Sequence, residues 1–240
     1  MENTKSISVC FTTNQFKNYA DERSTVVIVD LLRATSVIST VFECGISAVI
    51  PVKTLEEARR YKDVKDHIIA AERNTLPIEG FSYGNSPFHY INADVKGKTL
   101  VLTTTNGTKA IHLAKEHKVI TASFLNIDAV AKYLVNDNNN IIILCSGWKG
   151  LFNLEDPIFA GALAEKLLES NQFSSTCDAM QAAITLYSSG KANLFEFLSN
   201  SSYRNRNGSD GIIKDTHFCL YPTITSNIVP IFDNGKLVRA

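Results

Sequence analysis

Acidic and basic side chains stand side by side at two points where a short apolar run ends. Asp30 follows the β-branched run at 25–29, and Arg33 comes three residues later. Glu72 and Arg73 follow a second apolar run. A carboxylate at a strand end can bind Mg²⁺ or attack phosphorus, and an arginine can hold an anion through two hydrogen bonds. The pairs predict a site for a phosphate ester and a hard divalent cation, although an ordinary ion pair would also explain each of them.

A hydroxyl-rich turn at 103–108, with the sequence Thr-Thr-Thr-Asn-Gly-Thr, precedes a predicted helix. The hydroxyls and free backbone N–H groups of such a turn favour an anion, and so does the helix dipole. We therefore expect substrate contacts from Thr104, Thr105, Asn106 and Gly107. The alternative is a Thr-rich strand end on which Asn106 acts only as a helix cap.

Two further segments contribute polar residues to the predicted site. Asn85 and Ser86 lie in an irregular, Gly- and Pro-rich loop and are expected to complete the pocket wall. Glu155 and Asp156 open a later helix. They are either an additional carboxylate of the site or acids that the helix dipole favours at its N-terminus.

Other catalytic chemistries have less support. Cys145 lacks the arginine that a cysteine phosphatase needs six residues later, because that position is Leu151, so we interpret it as a buried free thiol. The five histidines show no HxH or HExxH spacing, which argues against zinc. Neither GxGxxG nor GxxxxGKS/T occurs, so a nucleotide cofactor has no support.

Composition narrows the range of partners. With 24 basic and 24 acidic side chains the formal net charge is zero, which argues against a nucleic-acid partner. The apolar runs are too short to cross a bilayer, and no basic segment followed by an apolar run marks a signal peptide. Five scattered cysteines without CxxC spacing predict reduced thiols and a cytoplasmic location.

Short apolar runs alternate with amphipathic stretches along the chain. This alternation predicts an α/β fold, a three-layer α/β/α arrangement with a largely parallel or mixed central sheet. We expect one domain over 1–240, more helical from about 171, with an edge strand or a covering loop after 215. Ligands of such sheets bind beyond the carboxyl ends of parallel strands, so the candidate residues are expected to meet at one rim.

Several of these segments, taken in order, resemble the 2-phosphosulfolactate phosphatase family. The matching stretches are Asp-Leu-Leu-Arg-Ala-Thr at 30–35, Glu-Arg at 72–73, Gly-Asn-Ser-Pro at 84–87, the turn at 103–108 and Leu-Glu-Asp at 154–156. The resemblance implies an α/β/α fold, a Mg²⁺ cofactor and hydrolysis of a phosphate monoester on a small sulfonated hydroxy acid, the reaction type of coenzyme M biosynthesis.

The residues and the resemblance together assign roles to the site. Asp30, Arg33 and Glu72 are the predicted catalytic residues, and Asp30 and Glu72 the predicted Mg²⁺ ligands. The predicted substrate-binding residues are Arg73, Asn85, Ser86, Thr104, Thr105, Asn106 and Gly107. The expected partner is a small anionic phosphorylated substrate, with no nucleic acid and no membrane, and the sequence is compatible with a homo-oligomer.

Two alternatives stay open at this point. The protein is either a phosphatase for another phosphorylated small hydroxy acid or a non-catalytic binder of small anions. Ser82 raises the second alternative, because it stands where the family usually has an acid.

Overall fold

The computed structural model describes residues 4–73 and 76–240. The described strands are β1 (Lys5–Cys10), β2 (Ser24–Val29), β3 (Ala48–Pro51), β4 (His67–Arg73), β5 (Leu76–Pro77), β6 (Thr99–Thr103), β7 (Lys118–Thr121), β8 (Asn140–Cys145), β9 (Phe173–Ser174), β10 (Pro230–Asp233) and β11 (Lys236–Arg239). They form one mixed sheet in the order β5-β4-β6-β3-β11-β10-β7-β2-β8-β1-β9.

Helices connect most of the strands. The described α-helices are α1 (Ala34–Glu43), α2 (Leu55–Arg59), α3 (Gly107–Leu113), α4 (Ile127–Asn136), α5 (Glu155–Leu168), α6 (Asp178–Gly190), α7 (Leu194–Phe197), α8 (Ser202–Arg206) and α9 (Asp210–Leu220). Short 3-10 helices span Thr13–Asn18 and Pro87–His89. The chain is mainly helical from α6 to α9. None of the described helices is both long enough and apolar enough to span a bilayer.

The two faces of β2 enter different hydrophobic cores. Val26 and Ile28 belong to a core that includes residues of α1 and α3, whereas Val27 and Val29 belong to one that includes residues of α4 and α5. Because successive side chains of a strand point to opposite faces, a continuous apolar run needs cover on both sides of the sheet. The predicted α/β/α arrangement with a mixed sheet is confirmed.

A hairpin near the end of the sequence joins two parallel groups of strands. One group contains β1, β8, β2 and β7, and the other contains β3, β6 and β4. In the hairpin, β10 pairs antiparallel with β7 and β11 pairs antiparallel with β3. The expectation of an edge strand or a covering loop after 215 is therefore wrong, because β10 and β11 lie inside the sheet.

Candidate active site

Asp30 lies just beyond the end of β2, between the first turns of two helices. Its Oδ1 accepts a hydrogen bond from the Ala34 N–H at 3.5 Å, and its carboxylate also accepts one from the Gly107 N–H. The absence of a side chain at Gly107 permits this approach, because a Cβ there would lie 2.7 Å from Asp30 Oδ2. The backbone at the starts of α1 and α3 thus fixes the carboxylate.

A cavity of about 370 Å³, called the acid cavity below, opens beside Asp30. Three carboxylate side chains border it, from Asp30 after β2, Glu72 in β4 and Glu155 at the start of α5. The other lining residues are Leu32, Asn85, Thr105, Asn106, Gly147, Trp148, Lys149, Tyr203, Arg206 and Asn207. The carboxyl ends of β2, β4 and β6 therefore open onto one cavity, which is the meeting point that the sequence predicts.

Asp30, Glu155 and the neighbouring Asp156 are held in an environment that disfavours their ionised forms. Burial and the neighbouring charge of Glu72 raise the pKa of Asp30 to about 7. Burial raises the pKa of Glu155, and burial together with the charge of Asp30 raises the pKa of Asp156 well above its ordinary value. A cation bound in the cavity would stabilise the ionised carboxylates, so this environment favours one.

Glu155 and Asp156, whose roles the sequence left open, have different surroundings. Asp156 Oδ1 accepts a hydrogen bond from the Leu31 N–H at 2.9 Å, and Oδ2 accepts one from the Gly147 N–H at 3.1 Å. Asp156 therefore ties the loop after β2 to the loop after β8. Glu155 instead borders the cavity, and its Oε1 accepts a hydrogen bond from Asn153 Nδ2 at 3.1 Å.

Three buried polar atoms belong to residues of the cavity wall and have no hydrogen-bond partner among the described residues. They are Asn85 Oδ1, Glu155 Oε2 and Tyr203 Oη. Buried polar atoms in native proteins are nearly always paired, so unpaired ones indicate where a bound group supplies the partner. The oxygens of Asn85 and Glu155 suit a hard cation, and the hydroxyl of Tyr203 can donate to an anion.

Arg33 lies at one end of the site and is paired within the protein. Its guanidinium forms a buried ion pair with Asp215 of α9, and Ser86 Oγ donates a hydrogen bond to the other Asp215 oxygen at 2.6 Å. These residues border a separate cavity of about 340 Å³, which shares Glu72 and Asn85 with the acid cavity. Arg33 and Ser86, predicted to contact substrate, thus lie outside the acid cavity and against Asp215, whose charge balances that of the guanidinium.

Some residues of the hydroxyl-rich turn stabilise the turn itself, and others border the acid cavity. Thr104 is buried, its Oγ1 accepts a hydrogen bond from the Thr108 N–H at 3.2 Å, and its own N–H donates to Thr108 Oγ1 at 3.3 Å. Thr104 therefore closes the turn, and the N–H of Gly107 is directed to Asp30 rather than to a ligand. Thr105 and Asn106 border the acid cavity, as predicted.

Asn106 does not act as the helix cap that the alternative interpretation required. It stands at the N-cap position of α3, but its side chain makes no capping hydrogen bond. Its Oδ1 instead accepts a hydrogen bond from the Lys149 N–H at 3.0 Å. The contact links the hydroxyl-rich turn to the loop after β8.

The remaining candidates lie elsewhere. Arg73 ends β4 next to Glu72, and its side chain falls outside the described part of the structure. Ser82 is exposed and does not border the acid cavity, so the departure from the family pattern leaves the cavity wall unchanged. Cys145 is free and fully buried, and burial raises its pKa well above the ordinary value, which confirms its interpretation as a buried thiol.

Sequence reasoning gave no site role to several residues of the cavity wall, among them Tyr203, Arg206 and Trp148. Tyr203 and Arg206 belong to α8, far from Asp30 along the chain, and no local motif marks them. The Arg206 guanidinium lies 3.8 Å from the centroid of the Trp148 ring, a cation–π contact between α8 and the loop after β8. Trp148 lies three residues after the end of the buried strand β8, and that position is the signal that could have identified it.

The donor atoms of the acid cavity fit magnesium. No group of three or more His, Cys, Asp or Glu side chains within 4–73 and 76–240 is arranged to hold a metal ion by itself. Mg²⁺ does not need such a group, because one or two carboxylates, several waters and the substrate phosphate commonly complete its six ligands. Asp30 and Glu72, together with the unpaired oxygens of Asn85 and Glu155, supply ligands of the required oxygen type.

The fold and the site define a layered α/β protein with a carboxylate-lined cavity beside a hydroxyl-rich turn. The family described as 2-phosphosulpholactate phosphatase matches residues 10–235. The chain belongs to this phosphatase family, and the resemblance inferred from its motifs is confirmed.

Curated relatives agree with this assignment. A protein of Caldanaerobacter subterraneus is 38% identical over 229 residues, which cover 93% of this chain and 94% of the relative. One of Thermotoga petrophila is 40% identical over 217 residues, covering 90% and 92%. One of Clostridium acetobutylicum is 34% identical over 235 residues, covering 97% and 99%. Each of the three is named "Probable 2-phosphosulfolactate phosphatase".

Proposed function

We propose that the protein hydrolyses the phosphate monoester of 2-phosphosulfolactate in a Mg²⁺-dependent reaction. Membership of the family and the names of the relatives support the substrate. The acid cavity supports the chemistry, because it joins three carboxylates to a hydroxyl-rich turn at the ends of strands. The link to coenzyme M biosynthesis and the cytoplasmic location stay predictions.

The main support for the proposal is that three acidic side chains line a cavity that has to hold an anionic phosphate ester. Asp30, Glu72 and Glu155 would repel a phosphate ester in the same buried space. A divalent cation removes this conflict, since it attracts both the carboxylates and the phosphate oxygens. The unpaired Oδ1 of Asn85 is consistent with a cation at this position.

In this proposal Asp30 and Glu72 hold Mg²⁺, which when bound polarises the phosphoryl oxygens and offsets the charge that develops on them. The N–H groups of Ala34 and Gly107 keep the Asp30 carboxylate in place. Its position is therefore set before any ligand binds, and little reorganisation is needed during the reaction.

The other residues of the cavity bind the ester and move protons. The Oε2 of Glu155 is placed to accept a proton from the attacking water, whose oxygen forms the new bond to phosphorus. The ester P–O bond breaks, and the departing alkoxide oxygen takes up the proton that Glu155 accepted from the water, which gives the hydroxy acid. Tyr203 Oη and the hydroxyl of Thr105 are suited to donate hydrogen bonds to phosphate oxygens.

Phosphate release from a panel of esters tests this proposal. Purified protein is given 2-phosphosulfolactate, 2-phospholactate or phenyl phosphate, first with EDTA and then after addition of excess MgCl₂. We expect release only with Mg²⁺ and the highest kcat/KM for 2-phosphosulfolactate. Full activity after exhaustive EDTA treatment would contradict the metal requirement. A higher kcat/KM for 2-phospholactate would indicate a different substrate, and tight binding without release would indicate a non-catalytic binder.

A further inference from the structure

A second pocket adjoins the acid cavity and has the opposite charge. This basic pocket has a volume of about 680 Å³, and Lys17, Lys109 and Lys149 border it. No Asp or Glu is found among the described residues of its wall. Thr105, Asn106 and Lys149 border both spaces, so the two spaces are adjacent.

Lys149 occupies a backbone conformation that lysine rarely adopts. Its φ is +52°, and it lies between Gly147 with φ +62° and Gly150 with φ +81°. Non-glycine residues with positive φ are uncommon, and such strain persists where the surrounding structure imposes it, often at functional sites. Here the Lys149 N–H donates to Asn106 Oδ1, which holds the loop against the shared wall of the two spaces.

Two further features show that the basic pocket is built from within the fold. Ser146 is 1% exposed, and its Oγ has no hydrogen-bond partner among the described residues, although the residue borders the pocket. Asn14 Nδ2 donates a hydrogen bond to the Gly150 carbonyl oxygen at 3.2 Å, which ties the loop to the 3-10 helix that carries Lys17. An unpaired buried hydroxyl indicates a place where a ligand oxygen would supply the partner.

We propose that the basic pocket binds the sulfonate group of the substrate while the phosphate occupies the acid cavity. This inference rests on the proposed function. Three lysines without a balancing acid in the wall attract a strong-acid oxyanion, and Ser146 can donate a hydrogen bond to it. The pocket thus selects esters that carry a sulfonate in addition to the phosphate.

The space on the other side of the acid cavity is less suited to the sulfonate. Arg33 and Lys214 supply its positive charge, and Glu72 and Asp215 balance them. Asp215 already engages the Arg33 guanidinium in an ion pair. A sulfonate there would compete with a buried carboxylate, whereas in the basic pocket it meets lysines that form no ion pair with any described residue.

Steady-state kinetics of the Lys17→Gln/Lys109→Gln double variant test the proposal with Mg²⁺ present. We expect KM for 2-phosphosulfolactate to rise about tenfold or more, as for the loss of charge-assisted hydrogen bonds. KM for phenyl phosphate, which has no second anion, should change less than twofold. The Lys62→Gln variant, which removes an exposed lysine outside the pocket, should leave both values unchanged. Equal changes in KM for both esters, or none, would overturn the proposal.

Two further measurements distinguish sulfonate binding from carboxylate binding, and failure of the pocket from failure of the proposed function. With 2-phospholactate, which has the carboxylate but no sulfonate, the double variant should behave as the unmodified protein, and a tenfold rise in KM there would show that the pocket binds the carboxylate instead. If the unmodified protein releases phosphate from no ester, the proposed function fails. Calorimetry with sulfolactate then tests the pocket alone, and equal affinity in the double variant would overturn its role.

A variant of Lys149 tests whether the strained backbone serves binding. Asparagine tolerates positive φ, so Lys149→Asn removes the cation and relieves strain. We expect an unchanged or higher melting temperature together with a raised KM for 2-phosphosulfolactate, which Lys149→Arg should not show. A higher melting temperature with an unaltered KM would overturn the role of Lys149 in binding.

Discussion

The acid cavity and the basic pocket share one wall but are built in different ways. Asp30 and Glu155 are buried, and backbone or amide groups hold their carboxylates in place. Lys17, Lys109 and Lys149 are exposed and reach their pocket from a short helix, a helix start and a loop. A buried charge lowers the stability of the folded protein unless a ligand compensates it. An exposed charge has little effect on stability and is strongly screened by salt. The difference indicates that the acid cavity is organised for chemistry and the basic pocket for selection.

Removal of the Asp30 charge should produce the largest effect. In Asp30→Asn the shape of the side chain is kept, but the charge that holds the cation is lost. We expect kcat to fall about 10²-fold or more, in line with the loss of one well-placed electrostatic group. Phosphate release measures this, and circular dichroism checks that the variant is folded. Asp63→Asn, at an exposed acid outside both spaces, is the matched control. Normal turnover in Asp30→Asn would remove this residue from the mechanism.

Displacement of the Asp30 carboxylate without loss of its charge should have the next largest effect. In Gly107→Ala the new Cβ would lie 2.7 Å from Asp30 Oδ2 and 2.8 Å from Ala34 Cβ, so the carboxylate or the helix start must move. Small misplacements of catalytic groups can cost up to about 10²-fold, and we expect a fall in kcat of about tenfold to 50-fold. Gly211→Ala, with open space around its Cβ position, serves as the control. Equal kinetics in both variants would show that the position of Asp30 tolerates the shift.

The unpaired hydroxyl of Tyr203 predicts a smaller loss. If it donates a hydrogen bond to the bound ester, Tyr203→Phe should lower kcat/KM about five- to tenfold, since one hydrogen bond contributes about 1 kcal/mol. The melting temperature should stay the same or rise, because the variant removes a buried group that has no partner among the described residues. Tyr187→Phe, outside both spaces, is the comparison. A lower melting temperature with unchanged kinetics would assign Tyr203 to the fold alone.

Higher ionic strength should weaken binding in the basic pocket more than in the acid cavity. The effect on KM should be smaller than the effects above. The Debye length falls from about 10 Å at 0.1 M salt to about 3 Å at 1 M, so exposed lysines lose much of their attraction for an anion. We expect KM for 2-phosphosulfolactate to rise about threefold over this range, and KM for phenyl phosphate to rise less. A parallel rise for both esters would place the salt sensitivity in the acid cavity.

The protonation of Asp30 predicts a pH dependence of stability in the metal-free protein. Its pKa of about 7 in the folded state lies above the value near 3.9 in the unfolded chain, so the folded state binds more protons between about pH 4 and pH 7. The ionisation of Asp30 should therefore lower the free energy of unfolding as pH rises through this window. Denaturant titrations in EDTA measure this fall, which should be smaller in Asp30→Asn. An identical pH dependence of the two proteins would contradict the raised pKa.

The part of the site that follows strands could be predicted from the sequence. Asp30, Glu72, Thr105 and Asn106 come directly after or at the end of apolar runs, and the rule that parallel strands present their ligands at their carboxyl ends places them together. Tyr203 and Arg206 could not be found in this way, because they reach the cavity from α8 through tertiary packing. The ion pair of Arg33 could not be predicted either, because its partner Asp215 lies on another helix that is distant in the sequence.

The missed hairpin, in contrast, had a local signal. Asn234 and Gly235 stand between two short apolar segments, and Asn-Gly is the strongest short-range sign of a two-residue hairpin turn. Both residues have positive φ in the structure, as such a turn requires. Neither segment shows which strands it will pair with, so the position inside the sheet could not be predicted.

That hairpin has a consequence for how the protein is made. Until Lys236–Arg239 leaves the ribosome, β3 and β7 each lack a neighbour and expose a row of unpaired backbone groups. The two halves of the sheet can form earlier, but they are joined only when β10 and β11 insert between them. The nascent chain thus carries two open sheet edges until β10 and β11 are made, and these edges are the points at which chaperones or other nascent chains would bind it.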